Sequence, residues 1–92
     1  MVTAIVMIKA ETGLIPETAA SLAALAGISE VYSVTGEWDL IAIARVQAHE
    51  DLADLIPGRL NKVPGVLRTE THTAFRAYSA VDLDAAFALG LE

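Results

Sequence analysis

The hairpin that decides the fold lies in residues 28–46, which read ISEVYSVTGEWDLIAIARV. Residues 28–35 alternate with a period of two, placing Ile28, Glu30, Tyr32 and Val34 on one face, and this period predicts a strand. Residues 40–46 are apolar on both faces, which is typical of a strand inside a sheet. Residues 36–39, GEWD, join the two runs. A short connection that contains glycine predicts a β-hairpin here.

Similar patterns predict one strand and one helix before this hairpin. Residues 2–10 form a β-branched, apolar run that is typical of a strand. Residues 14–26 follow as a helix, because Pro16 fits a first helical turn and Gly27 fits a helix stop.

A second helix, a last strand and a short terminal helix are predicted after the hairpin. The second helix begins near His49, and Pro57-Gly58 predicts a kink or two shorter helical pieces. Residues 66–77 are predicted as the last strand. Ser79 and Asp82 have the spacing of a capping box that opens a short helix. The apolar residues on one side of that helix are Leu83, Phe87 and Leu91.

The resulting element order is βαββαβ plus a terminal helix, an α+β arrangement of the ferredoxin-like type. In that topology the first and third strands lie in the middle of the sheet, and both helices cover one face. Yet both of these strands are apolar on both faces. The second face carries Ile5 and Met7 on the first strand and Ile41 and Ile43 on the third. Because helices cover only one face, we expect a second copy to cover the other, sheet against sheet, in an obligate homo-oligomer.

Composition excludes several classes of protein. The 92 residues have room for one domain, and a net charge of −6 argues against direct binding of nucleic acid. The absence of cysteine excludes disulfides, thiol nucleophiles and Cys-ligated metals. We find no signal peptide and no apolar run near the roughly 18 to 20 residues of a membrane span. We therefore expect a cytoplasmic protein that does not bind membranes.

Two short motifs resemble one protein family. The segment VTGEWDLI at residues 34–41 resembles the Gly-x-(aromatic)-Asp hairpin in the effector-binding domain of the Lrp/AsnC regulators. The segment PGVLRTET at residues 64–71 is similar to that family's Gly-Val-x-x-Thr-x-Thr motif at the start of the last strand. The resemblance covers essentially the whole chain with matching element order.

The resemblance implies a domain that regulates amino-acid metabolism. Such domains pair through their sheets as a dimeric α+β barrel, assemble further into octamers or decamers, and bind small effectors, usually amino acids, between dimers. The family's full-length regulators carry an N-terminal helix-turn-helix, whereas this sequence begins at the first strand. We therefore expect residues 1–92 to be a single stand-alone effector-binding domain without a DNA-binding domain, and a DNA-binding relative is a further expected partner.

The candidate effector site follows from the same motif positions, with one residue added by strand alternation. An anion binds an ammonium group, hydroxyls bind a carboxylate, and glycine allows close approach of the backbone. The family positions and the added Thr73 give a predicted site of Gly36, Trp38, Asp39, Thr69, Thr71 and Thr73. A structural interpretation stays open: glycine and aspartate are common in turns, threonine favours strands, and a tryptophan anchors interfaces.

Two other functions remain as alternatives. One is a small dimeric α+β barrel enzyme of the monooxygenase or isomerase type, which needs a buried histidine, a basic residue or an aromatic-lined pocket. The chain has two histidines far apart in sequence and five aromatic residues, so we predict no catalytic residue, no metal site and no cofactor. The other alternative is a protein whose surfaces serve assembly only.

Overall fold

A four-stranded antiparallel sheet with its helices on one face forms the fold in a computed structural model, which describes residues 1–80. The strands are β1 (Val2–Ala10), β2 (Ile28–Ser33), β3 (Leu40–Val46) and β4 (Val66–Thr73). The helices are α1 (Ile15–Ala23) and α2 (Asp51–Leu55), and short 3-10 turns span Thr12–Leu14 and Leu60–Lys62. The strand order is β2-β3-β1-β4. The ferredoxin-like prediction, with β1 and β3 central, is confirmed.

The core lies between the sheet and the helices. Every second residue of the central strands is buried there, namely Ala4, Val6 and Ile8 of β1 and Leu40, Ala42 and Ala44 of β3. Leu22 of α1 and Leu52 and Leu55 of α2 pack in the same cluster. The small side chains of the buried alanines in the sheet leave room for these leucines.

The opposite surface of the sheet, called the open face below, carries two rows of paired side chains. The strand register places Tyr32, Ile41, Met7 and Glu70 in one row and Glu30, Ile43, Ile5 and His72 in the other. Ile5 is 36% exposed and Tyr32 is 50% exposed. The middle of the open face is therefore apolar, and its two edges are polar.

The period-two prediction for β2 is wrong at its first residue. The register shifts between Ile28 and Glu30, so Ile28 pairs with Ala44 whereas Glu30 pairs with Ile43. Neighbouring pairs on β3 point to opposite faces. Ile28 is consequently buried on the helix side, while Glu30 and Tyr32 lie on the open face. A bulge residue, Ser29, absorbs the difference.

Several predicted boundaries differ from the observed ones. α1 ends at Ala23, because the Leu25 N–H donates to the Leu22 carbonyl and tightens the last turn before Gly27. β4 ends at Thr73, which already pairs with Ala4 near the start of β1. The predicted interruption at Pro57-Gly58 is confirmed. The part of the predicted terminal helix that carries Leu83, Phe87 and Leu91 lies outside the described residues. Among residues 1–80, no helix is long and apolar enough to cross a membrane.

The Pro64-Gly65 turn ties β4 to both β1 and α1. The Thr18 hydroxyl, buried in α1, donates to the Pro64 carbonyl at 3.0 Å. The Glu11 N–H donates to the Gly65 carbonyl at 2.8 Å. Gly65 has a φ of +96°, and a Cβ there would collide with the Thr18 hydroxyl. The turn therefore requires glycine for both its conformation and its packing.

We expect Gly65→Ala to lower the free energy of unfolding by about 2–4 kcal/mol, since backbone strain and overpacking add. Urea denaturation measures the change. Gly13→Ala is the matched control, because φ at Gly13 is not positive and, among residues 1–80, no heavy atom outside its chain neighbours and the backbone of its own helical turn lies within 4 Å of the added Cβ. Equal midpoints for the two variants would contradict this role of Gly65.

Candidate functional site

The loop between β2 and β3 is anchored to the end of β1 by Asp39. The Asp39 N–H donates to the Ile8 carbonyl at 3.0 Å, and the Asp39 carboxylate accepts from the Ala10 N–H at 2.9 Å. Ala10 lies two residues past Ile8, the last β1 residue that pairs with β3. The carboxylate thus continues the β1–β3 hydrogen bonding beyond the end of the ladder.

Gly36 gives this loop its conformation. Its φ is +109°, a left-handed value that favours glycine. Among residues 1–80, no heavy atom other than those of its chain neighbours lies within 4 Å of the position that a Cβ would take. Gly36 is therefore required by the turn, and the space beside it is open to solvent.

Charges from three elements meet beside the loop. The Lys9 ammonium donates to the Glu37 carbonyl at 2.8 Å and lies 3.9 Å from the Asp39 carboxylate. The Arg68 guanidinium lies 3.3 Å from the Glu37 carboxylate and 4.8 Å from the centre of the Trp38 ring, in a cation–π contact. We call Lys9, Glu37, Trp38, Asp39 and Arg68 the hairpin cluster.

The ion pairs of the hairpin cluster face water. The side chains of Glu37 and Arg68 are 72% and 60% exposed, and that of Asp39 is 23% exposed. Exposed ion pairs stabilise a fold by only about 0–1 kcal/mol. The cluster therefore presents cations and anions that a small ligand with both charges can reach.

A cavity of about 240 Å³ adjoins the hairpin cluster. It is lined by Asn61, Val66, Leu67, Arg68 and Thr69. The Thr69 hydroxyl donates to the Asn61 side-chain carbonyl at 3.0 Å. Arg68 belongs to the hairpin cluster and also lines this cavity, so the two adjoin at the β4 edge, with Lys9 and Arg68 on the open face and Thr69 on the helix face.

The predicted site residues are only partly brought together. Gly36, Trp38 and Asp39 lie at the end of β1 that carries Ala10, and Thr69 pairs with Ile8 at the same end. Thr71 and Thr73 follow on the same side of β4. Thr73 pairs with Ala4, six residues from Ala10, a separation of about 20 Å along the strand. One protomer therefore does not place Thr73 beside Asp39.

The sequence prediction missed Lys9, Glu37, Asn61 and Arg68. Glu37 and Arg68 lie inside the two quoted motifs, so their charges were a usable signal. Lys9 is brought opposite Arg68 only by the β1–β4 register, which shifts between Lys9 and Ala10. Short-range patterns do not reveal such a shift.

A second polar group lies at the β2 edge of the open face. Glu30 accepts hydrogen bonds from the Tyr32 hydroxyl at 2.8 Å and the Arg45 guanidinium at 3.0 Å. The hydrogen bond from Tyr32 lowers the pKa of Glu30 most, and the bond from Arg45 lowers it further. The same hydrogen bond to Glu30 raises the pKa of Tyr32. At the β4 edge, the His72 ring lies 2.7 Å from the Glu70 carboxylate.

We expect Tyr32→Phe to raise the pKa of Glu30 toward its ordinary value, because the carboxylate loses a donor that favours its charged form. Titration followed by NMR of the carboxyl carbons measures this change. Tyr78→Phe is the control, since Tyr78 is exposed outside the sheet. An unchanged Glu30 titration in Tyr32→Phe would contradict the hydrogen bond.

We expect Asp39→Ala to lower the free energy of unfolding by about 1.5–3 kcal/mol, the usual loss for a hydrogen bond to a charged group. Glu37→Gln serves as the control, because its ion pair is exposed and contributes at most about 1 kcal/mol. Chemical denaturation compares the two variants. If Asp39→Ala were as stable as the unmodified chain, Asp39 would not anchor the loop.

Comparison with known proteins finds one family. Residues 3–81 match the family model of the Lrp/AsnC ligand binding domain. An HTH-type transcriptional regulator of Pyrococcus furiosus is 40% identical over 72 residues, which are 78% of this chain and 48% of that protein. The chain thus spans about half the length of the curated relatives it matches.

Solved structures show the same fold. A protein from Thermus thermophilus, known from its crystal structure, is 40% identical in sequence, and its structure matches with a TM-score of 0.81. The match covers 86% of this chain and 99% of that one. A transcriptional regulator of Neisseria meningitidis, solved as a complex with L-Met, has a TM-score of 0.76 and is 15% identical. The match covers 85% of this chain and 52% of the regulator, and at this identity the likeness concerns the fold alone.

Proposed function

Because the chain belongs to the Lrp/AsnC ligand-binding domain family, we propose that it is a ligand-sensing module. It binds a small amino acid or a related metabolite where subunits meet, and it modulates transcription or metabolism through assembly with its partners. Its relatives are transcriptional regulators, and the proposal includes no chemical step.

The observation that carries this proposal is the mixed charge of the hairpin cluster beside a small cavity. A free amino acid presents a carboxylate and an ammonium group. Arg68 suits the carboxylate, because a guanidinium binds it through two parallel hydrogen bonds. Glu37 suits the ammonium group, and Trp38 provides an apolar wall. The complex of the Neisseria meningitidis regulator with L-Met supports an amino acid as the class of ligand.

The structure changes the role that we propose for Asp39. Its carboxylate accepts the Ala10 N–H, so part of its hydrogen-bonding capacity serves the fold. The Glu37 carboxylate is more exposed and pairs with Arg68. We therefore assign the ammonium group to Glu37 first, while Asp39 holds the loop in place. Thr69 and Asn61 supply a hydroxyl and an amide at the cavity wall.

The open face supports the proposed assembly. Its centre is formed by Ile5, Met7, Ile41 and Ile43, which the helices on the other side do not cover. A second copy, packed sheet against sheet, would remove these side chains from water. Dimers built this way would then join into octamers or decamers, with the hairpin clusters at the contacts between them. A DNA-binding relative is a further proposed partner.

A thermal-shift panel of common amino acids tests ligand binding. A ligand present at about 100 times its dissociation constant adds roughly 2.7 kcal/mol of stability, so we expect a selective rise of the melting temperature. Arg68→Ala should weaken that ligand at least about tenfold, since a charged hydrogen bond is lost. Arg59→Ala is the control, because Arg59 lines a separate surface cavity with Met1 and Gly27.

A flat panel would contradict an amino-acid sensor. Equal affinity of Arg68→Ala and Arg59→Ala for the ligand would remove Arg68 from the site and leave the sensor function intact.

Sedimentation or light scattering of Ile43→Glu tests the assembly. The variant places an unpaired charge in the centre of the open face, and burying such a charge costs several kcal/mol. We expect a folded monomer, shown by retained circular dichroism and a halved or smaller mass. Ala53→Glu is the control, because Ala53 is exposed on α2. A mass equal to that of the unmodified chain would contradict pairing through this face.

A further inference from the structure

Residues 74–80, called the tail below, leave the sheet with two aromatic side chains in water. Phe75 is fully exposed, at 104%, and Tyr78 is 75% exposed. The chain has five Phe, Trp and Tyr residues in all, so two of the five lie in this short segment. A buried aromatic side chain contributes about 150–250 Å² to a core or an interface. Such a concentration of exposed aromatic surface is typical of a site that contacts another protein.

The tail begins at one end of the open face. Its first residue is held in place, because the Ala74 N–H donates to the Thr3 carbonyl at 2.9 Å. Thr3 pairs with Arg45, and their side chains point to the open face with the alternate residues Ile5 and Ile43. Residues 74–77 line a cavity of about 300 Å³ together with Met1, Thr3 and Arg45. The tail is thus continuous with the surface that we propose to pair.

The tail offers a sizeable area to such an interface. Phe75 and Tyr78 would each contribute about 150–250 Å² when buried. A stable interface buries about 800 Å² on each partner, so two such side chains would form a substantial share of it.

We propose that the tail is an arm that packs against a second copy of the chain, with Phe75 and Tyr78 as its anchors. This inference rests on the pairing through the open face proposed above. In the dimer each copy gives its tail to the other. Arg76, between the anchors, then approaches a copy whose net charge is −6.

Two measurements on the full chain test the arm. Sedimentation gives the dimer dissociation constant, and we expect the double variant Phe75→Ser/Tyr78→Ser to raise it at least about tenfold, because anchor residues dominate interface energies. Ala20→Ser/Ala23→Ser is the matched control: both residues are exposed on α1, away from the tail, the open face and the candidate site, and the double change should alter the constant less than about twofold.

The second measurement places a probe in the tail. The chain has no cysteine, so Ala77→Cys accepts a single environment-sensitive dye while both anchors remain. We expect its emission to shift to the blue as protein concentration rises, along the same curve as dimer formation. A shift that is independent of concentration would mean that the tail folds onto its own chain, and it would overturn the arm.

The outcomes separate the arm from the proposed function. If Ile43→Glu abolishes the dimer but the double tail variant leaves its dissociation constant unchanged, the arm alone is overturned. An unmodified chain that stays monomeric at all concentrations overturns both the arm and the sheet pairing. A dissociation constant raised by the double variant, with the dye responding to dimer formation, supports the arm.

Discussion

The sheet has two faces and helices for only one of them, and this constraint organises the rest of the molecule. Ala42 and Ala44 of β3 lie under the helices, while Ile41 and Ile43, their neighbours in sequence, point the other way. A strand that is apolar on both faces requires cover on both. The helices α1 and α2 supply one cover, and we propose that a second copy supplies the other. In this interpretation assembly completes the fold.

The end of β1 is where the fold and the candidate site meet. Asp39 fixes the hairpin loop to Ala10, and the Pro64-Gly65 turn fixes the start of β4 to Glu11 and Thr18. These two anchors bring Glu37 and Trp38 to Arg68. Hydrogen bonds to the backbone thus position the exposed charges of Glu37 and Arg68, so the fold depends little on the ion pair between them. In the proposed function, such charges bind a ligand whose arrival then stabilises the contacts between subunits.

The sequence predicted those features that local patterns determine. The bounds of β1 and β3 were predicted as observed, because their apolar runs end at clear turns, and Pro57-Gly58 marked the break after α2. Features that depend on pairing were missed: the bulge at Ser29, the end of β4 at Thr73 and the meeting of Lys9 with Arg68. A shift of register by one residue changes the face of a side chain, and single-sequence periodicity does not contain that information.

Contacts between copies test this interpretation most directly. Copies with labelled isoleucine methyl groups are mixed with unlabelled copies. Isotope-filtered NMR then detects contacts between one copy and the other. We expect such contacts at Ile5, Ile41 and Ile43 of the open face and none at Ile8, which is buried beneath the helices. If no contact between copies is detected at the methyl groups of the open face, pairing through the sheets is contradicted, whatever the oligomeric state of the chain.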